Sequence, residues 1–248
     1  KIEHEACDIL RTMTQLQDLR LDCDGDRWFH NYVSDIPVTH FGLFSTLIHE
    51  KLVTKLMSTR TLRMVSFEDC WFDSCGGKTL CDLILRLEEI NIYGESFDIG
   101  LRPECIAEQL RSSTTLTTFA LVLTDKTVNC NPILDALVEN TTLTSLKLYA
   151  YGLETDSICR LIRHNTTLTH LAIRVKKSRP ENKMIVRALT TNESIVEFDG
   201  CRGDKFTRQV EDILERNTHN YDMKNQGLIA WMLSLVRCSR RTLRWFEL

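Results

Sequence analysis

Asn140-Thr-Thr-Leu-Thr-Ser-Leu-Lys-Leu148 is echoed by Asn165-Thr-Thr-Leu-Thr-His-Leu-Ala-Ile173, so one short apolar-x-x-apolar-x-apolar unit is written twice in succession. The same unit recurs at Leu16/Leu19/Leu21, Leu62/Val65/Phe67, Leu87/Ile90/Ile92 and Leu116/Phe119/Leu121. Partial copies stand at Ile195/Phe198, with Gly200 in the third place, and at Leu243/Phe246/Leu248. A period of about 25 residues means that each unit carries an apolar face it cannot bury alone, so the core forms only between stacked neighbours. The chain therefore reads as one repeat domain over residues 1–248.

Two intervals are about twice the local period and read as irregular or degenerate repeats, at 22–61 and 201–226. Val38/Phe41/Leu43 fits the first interval. Asn220/Met223/Asn225 fits the second poorly, which leaves a degenerate unit and an irregular loop both open. The expected count is about eight to ten strands.

Between the strand units, apolar residues recur at helical spacing: Ile133, Leu134 and Leu137; Ile158, Leu161 and Ile162; Ile185, Ala188 and Leu189; Ile213 and Leu214. Each set then meets an asparagine, at Asn140, Asn165, Asn192 or Asn217. Asparagine tolerates the left-handed conformation that commonly closes a helix, so each is expected to end one. Strands that all enter in one direction, with a helix crossing between them, predict a parallel sheet with helices on its other side. Strands lie about 4.8 Å apart and helices roughly 10 Å apart, so the array is expected to bend with its strands on the inside.

These residues resemble the leucine-rich-repeat proteins of the long, helix-containing type, seen in ribonuclease inhibitor and in the sensor regions of NOD-like receptors. The resemblance covers nearly the whole chain. It implies an α/β solenoid, a curved horseshoe with a parallel β-sheet on the concave face and helices on the convex face. It also implies a protein-binding role as sensor, adaptor or inhibitor, with innate immunity among the settings. The family's ninth place, Asn or Cys, is matched only by Cys70; elsewhere it holds Asp24, Glu95, Thr124, Tyr151, Lys176 and Gly203. The ladder of buried Asn or Cys after each strand is thus expected to be mostly absent.

A net charge of −3 over 248 residues supplies no long-range field for nucleic acid. The longest apolar run, Leu228 to Val236, is about half what a bilayer span needs. The ten cysteines are scattered, which reads as small buried residues in a reducing compartment and hence a cytoplasmic protein. The chain opens on Lys1 without an initiator Met or a leader, and its last apolar strand has no polar cap, so an excerpt of a longer chain is expected.

The sequence offers no catalytic constellation. Asp22, Asp24 and Asp26 around Gly25 lack the Gly and Glu placement of a calcium loop. Cys70, Cys75 and Cys81 lack the paired Cys-x-x-Cys spacing of a zinc site. His40, His49, His164 and His170 occupy different repeat positions and complete no nucleophilic triad. No enzyme activity, metal or cofactor is therefore expected. The sequons at Asn140, Asn165 and Asn192 arise as by-products of the repeat.

Period-two alternation sends the remaining strand residues away from the core: Arg20 and Asp22, Glu68, Asn91 and Tyr93, Thr118 and Ala120, Lys147 and Tyr149, His170 and Arg174, Glu197 and Asp199. Aromatics and Arg are the residue types that anchor interfaces, which singles out Tyr93, Lys147, Tyr149, His170 and Arg174 as partner-binding residues. The expected partner is a protein, with neither nucleic acid nor membrane bound and the oligomeric state open. The amphipathic stretch Gly227 to Arg241 reads as core packing of one more repeat. The family resemblance leaves two alternatives: a GTPase-activating repeat protein, and a substrate-recognition subunit of a ubiquitin ligase.

Overall fold

Each apolar-x-x-apolar-x-apolar unit builds a strand because two of its apolar residues, one apart, point to the same side of an extended backbone. The computed structural model of the protein describes residues 12, 16–22, 36–94, 102–124, 126–174, 179–200 and 204–243. Its main sheet contains β1 (Asp18–Asp22), β2 (His40–Phe44), β4 (Met64–Glu68), β6 (Glu89–Gly94), β7 (Thr118–Leu123), β8 (Ser145–Tyr149), β9 (His170–Ile173) and β10 (Glu197–Asp199). These eight strands stand side by side in chain order, and every pairing is parallel. Two short strands, β3 (Leu47–Ile48) and β5 (Trp71–Phe72), pair in a separate parallel ribbon.

From β2 onward a helix crosses between successive strands of the main sheet: α1 (Glu50–Ser58), α2 (Ser74–Ile84), α3 (Pro103–Ser112), α4 (Asn131–Leu137), α5 (Thr155–His164) and α6 (Arg179–Thr191), with α7 (Asp204–Leu243) after the last strand. The register aligns the core positions. Leu146 lies opposite Phe119 and Leu171, and Leu148 opposite Leu121 and Ile173, all within one continuous apolar core. The helical sets join that core through Ile133, Leu134, Leu137, Ile158, Leu161, Ile162, Ile185, Ala188 and Leu189. In the first long interval Val38, Phe41 and Leu43 are buried, so β2 is a regular unit. At the last unit a Cβ on Gly200 would fall 2.5 Å from Cζ of Phe198, so the Phe198 ring occupies the space that a third core side chain would need.

The asparagines that close the helices act through their side chains, and the left-handed conformation is not used. Asn165 is extended, with φ −78° and ψ 130°. Its Nδ2 donates to the carbonyls of Leu137, at 2.7 Å, and of Asn140, at 3.0 Å. Its Oδ1 accepts from the amides of Thr167 and Leu168, at 2.9 and 2.8 Å. Asn192 repeats the arrangement on Ile162, Asn165, Ser194 and Ile195. Asn140 donates to Leu110 and accepts from Thr142 and Leu143. The two-sided amide thus satisfies a carbonyl orphaned at the end of the preceding unit's helix and starts its own next strand.

A ladder of buried polar side chains is therefore present, but it sits three residues before each strand's first leucine. Towards the N-terminus, Ser113 takes the place of Asn, its hydroxyl donating to Ile84 and accepting from Leu116. In the unit before that, the Arg86 guanidinium reaches the carbonyls of Leu56 and Thr59. Cys70 fills its expected ninth place, buried with Sγ 3.4 Å from the carbonyls of Leu43 and Glu68. Asn140, Asn165 and Asn192 are buried with their amides engaged, which makes them structural residues rather than accessible sequons.

The last unit departs from the expected pattern. The helix does not stop at Asn217, and residues 204–243 form one helix, so Asn220, Met223, Asn225 and Leu243 are helical. No apolar residue stands three positions beyond Asn217 to start a strand, and the sequence stays free of Gly and Pro until Gly227. Asn217 still donates to the carbonyls of Asn192 and Ile195. Its Oδ1 now accepts from Arg216. Phe246 and Leu248, the side chains of Gly227 to Arg241, and the Asp24 and Asp26 turn lie outside the described residues.

Candidate functional site

The face of the sheet turned away from the helices is built from the residues between the core positions. Register places them in rows across the strands. One row runs Arg20, Gly42, Ser66, Asn91, Ala120, Lys147, Ala172 and Asp199. The next row includes Tyr93, Val122 and Tyr149 on adjacent strands, and the amide of Arg174 extends it by donating to Leu148 at 3.2 Å.

Three of the five residues expected to bind a partner come together. Lys147 Nζ lies 5.1 Å from the centre of the Tyr93 ring and 5.5 Å from that of Tyr149. Tyr93 is two strands away, and the lysine reaches it because the intervening residue of its own row is the small Ala120. In the other direction the Tyr149 hydroxyl bonds the Asp199 carboxylate, passing the equally small Ala172 of β9.

Arg174 belongs to a neighbouring group. Its guanidinium lies 4.4 Å from the centre of the Tyr151 ring, and Lys126 Nζ lies 5.5 Å from the same ring. His170 stands apart, with Nε2 3.6 Å from a carboxylate oxygen of Glu197 and Nδ1 2.8 Å from the Thr169 hydroxyl. Sequence reasoning missed Tyr151, Lys126 and Asp199 as members of the patch. Tyr151 was visible as an aromatic in the ninth place of its unit, a position otherwise held by small or charged residues; nothing in the sequence marks Lys126 as its neighbour.

Exposed cation–aromatic contacts are worth about 0.5–1 kcal/mol each, too little to make this patch a requirement for folding. Its cations are held in place yet remain open to solvent. Arg174 and Lys126 are exposed and Lys147 half-buried.

Other chemistry is sparse. Burial pushes the Cys70 thiol up to about 11. Burial, then the adjacent Cys105, pushes Cys81 up to about 12. Burial, with Glu104 nearby, pushes Cys130 up to about 12, and burial also raises Cys159. Burial thus keeps these thiols neutral at physiological pH, whereas the thiolate is the nucleophilic form. Cys75 departs from the buried pattern and is exposed, while Cys105 is half-buried. Among the described residues no group of three or more His, Cys, Asp or Glu is placed to hold a metal ion, and no helix is long and apolar enough to cross a membrane. A cleft of about 580 Å³ opens at the opposite end of the strands, between the Asn-Thr-Thr turns and α7. It exists because α7 runs past Asn217, bringing Tyr221 and Lys224 alongside the turns, where Lys224 pairs with Glu193 at 3.4 Å.

No protein-family model and no curated protein matches the chain. Among solved structures it is similar to one described as Leiomodin-1 Actin-Binding Site 2 (ABS2), with 21% identity and a TM-score of 0.47 over 52% of this chain and 80% of that one.

Proposed function

We propose that the chain is a leucine-rich-repeat array of the ribonuclease-inhibitor-like type, working in the cytoplasm as a non-enzymatic module that binds a protein partner on the inner face of a curved sheet. The repeat reading is supported by the eight strands in chain order with a helix between successive units from β2 onward. Curvature follows from the unequal spacing of strands and helices, about 4.8 Å against roughly 10 Å. The six described cysteines are free thiols, as a reducing compartment allows.

The observation that carries the binding reading is the joined patch of Tyr93, Lys147 and Tyr149 beside Lys126, Tyr151 and Arg174. Tyrosines held by cations present large, rigid contact area at low entropic cost, the character of interface anchors. The test is affinity capture of partners with Tyr149→Ala/Arg174→Ala, compared with Arg111→Ala/Arg160→Ala on the helices. Loss of the captured partner with the first pair alone supports the assignment. Loss with the second pair alone moves the binding surface to the helices.

A further inference from the structure

We propose that the segment docking on this patch is acidic, a short peptide stretch that sets carboxylates against Lys147 at one end and against Arg174 and Lys126 at the other. The proposal rests on the reading of the sheet face as the binding surface, and it adds the chemistry of what binds there.

Three observations lead to it. First, Lys126, Lys147 and Arg174 form no ion pair among the described residues, whereas Arg20, Arg63, Arg111, Arg160 and Lys224 each pair with a carboxylate. A tyrosine face orients a cation through its ring quadrupole but leaves the outward N–H donors unfilled. Second, the acids placed nearest on this face bond other groups: Asp199 accepts the Tyr149 hydroxyl, Glu197 faces His170, and Glu68, opposite Tyr93, accepts from the Ser66 hydroxyl. Lys126, Lys147 and Arg174 therefore present N–H donors that no described carboxylate fills, although the chain as a whole carries −3.

Third, the cations fall into two foci along one strand direction. Lys147 and Tyr151 are four residues apart on the same chain segment, which in extended geometry is on the order of 10 Å. An extended peptide bridges that distance with acidic residues three or four positions apart, while its intervening side chains rest on Tyr93, Tyr149 and Tyr151. The absence of an overall positive field separates this surface from a polyanion groove, where affinity comes from many phosphates at once.

The experiment measures fluorescence anisotropy of the intact chain with a labelled peptide of alternating glutamate and leucine, and with its glutamine counterpart. The glutamate peptide is expected to bind and the glutamine peptide to bind about tenfold or more weaker, since the charge-assisted bonds to Lys147, Arg174 and Lys126 are lost together. Lys147→Gln and Arg174→Gln should each weaken the glutamate peptide by a similar factor, while Arg160→Gln leaves it unchanged. Raising salt to about 0.3 M should weaken it several-fold. Equal binding of the two peptides, or indifference to Lys147→Gln and Arg174→Gln, overturns the proposal. So does equal competition by a thymidine oligonucleotide of the same charge. Failure of the glutamate peptide to bind while Tyr149→Ala/Arg174→Ala still loses its captured partner removes the acidic chemistry and leaves the face. Retention of the partner by that double variant removes the face itself.

Discussion

Replacing Asn165 with alanine tests the internal ladder at its most connected rung. The side chain is 2% exposed and serves four backbone groups: the carbonyls of Leu137 and Asn140 and the amides of Thr167 and Leu168. Each hydrogen bond contributes about 1 kcal/mol net, and a buried group left unpaired costs about 1–3 kcal/mol, so Asn165→Ala is expected to lose about 4 kcal/mol. That is a large share of a typical stability of about 5–15 kcal/mol. Thr166→Ala, at the exposed neighbouring position, should change stability by no more than about 0.5 kcal/mol. Urea unfolding followed by far-ultraviolet circular dichroism reads the difference as a lower midpoint. Because units contact only their neighbours, the loss should also appear locally, with the amides of Thr167 and Leu168 exchanging faster than those of β6. A loss below about 1 kcal/mol, with those two amides still protected, would refute the ladder as a source of stability.

Leu146→Asp places a carboxylate in a core position flanked by Phe119 and Leu171; a loss of several kcal/mol is expected in thermal melts, and an unchanged melt would mean the strand register is wrong. Gly200→Ala drives a Cβ against the Phe198 ring and should cost about 1–3 kcal/mol in the same assay, whereas a neutral result would show that the ring moves freely. Thiol labelling of the native protein at mildly alkaline pH should modify Cys75 well ahead of Cys70, Cys81, Cys130 and Cys159; equal rates would contradict their burial. The raised thiols bind their protons more tightly in the folded chain, so stability falls as pH rises from 9.0 towards about 12, and Cys130→Val should lessen that fall in urea titrations across the interval.

The strands were legible because their signal is local. Leu143, Leu146 and Leu148 state the pleat, and the copy at Leu168, Leu171 and Ile173 states the stacking. The asparagines were legible as helix ends but not in their mechanism, because their partners lie in the preceding unit, some two dozen residues away, as in the bond from Asn165 to Leu137. The run of α7 past Asn217 was visible only as a missing apolar residue at the strand offset, and the small ribbon of β3 and β5 had no periodic signature. At the surface, alternation placed Tyr93, Lys147 and Tyr149 on one face. It could not show that Ala120 and Ala172 open the lanes through which Lys147 and Tyr149 lean, nor that Arg174 turns to Tyr151. Such contacts depend on side chains two strands apart.

The binding face itself is tested most directly by site-specific photo-crosslinking, with a benzophenone amino acid placed once at Tyr149 and once at Arg160 on the helical side. The account predicts a discrete partner adduct from position 149 and none from position 160. An adduct from position 160 alone, with none from 149, would contradict it.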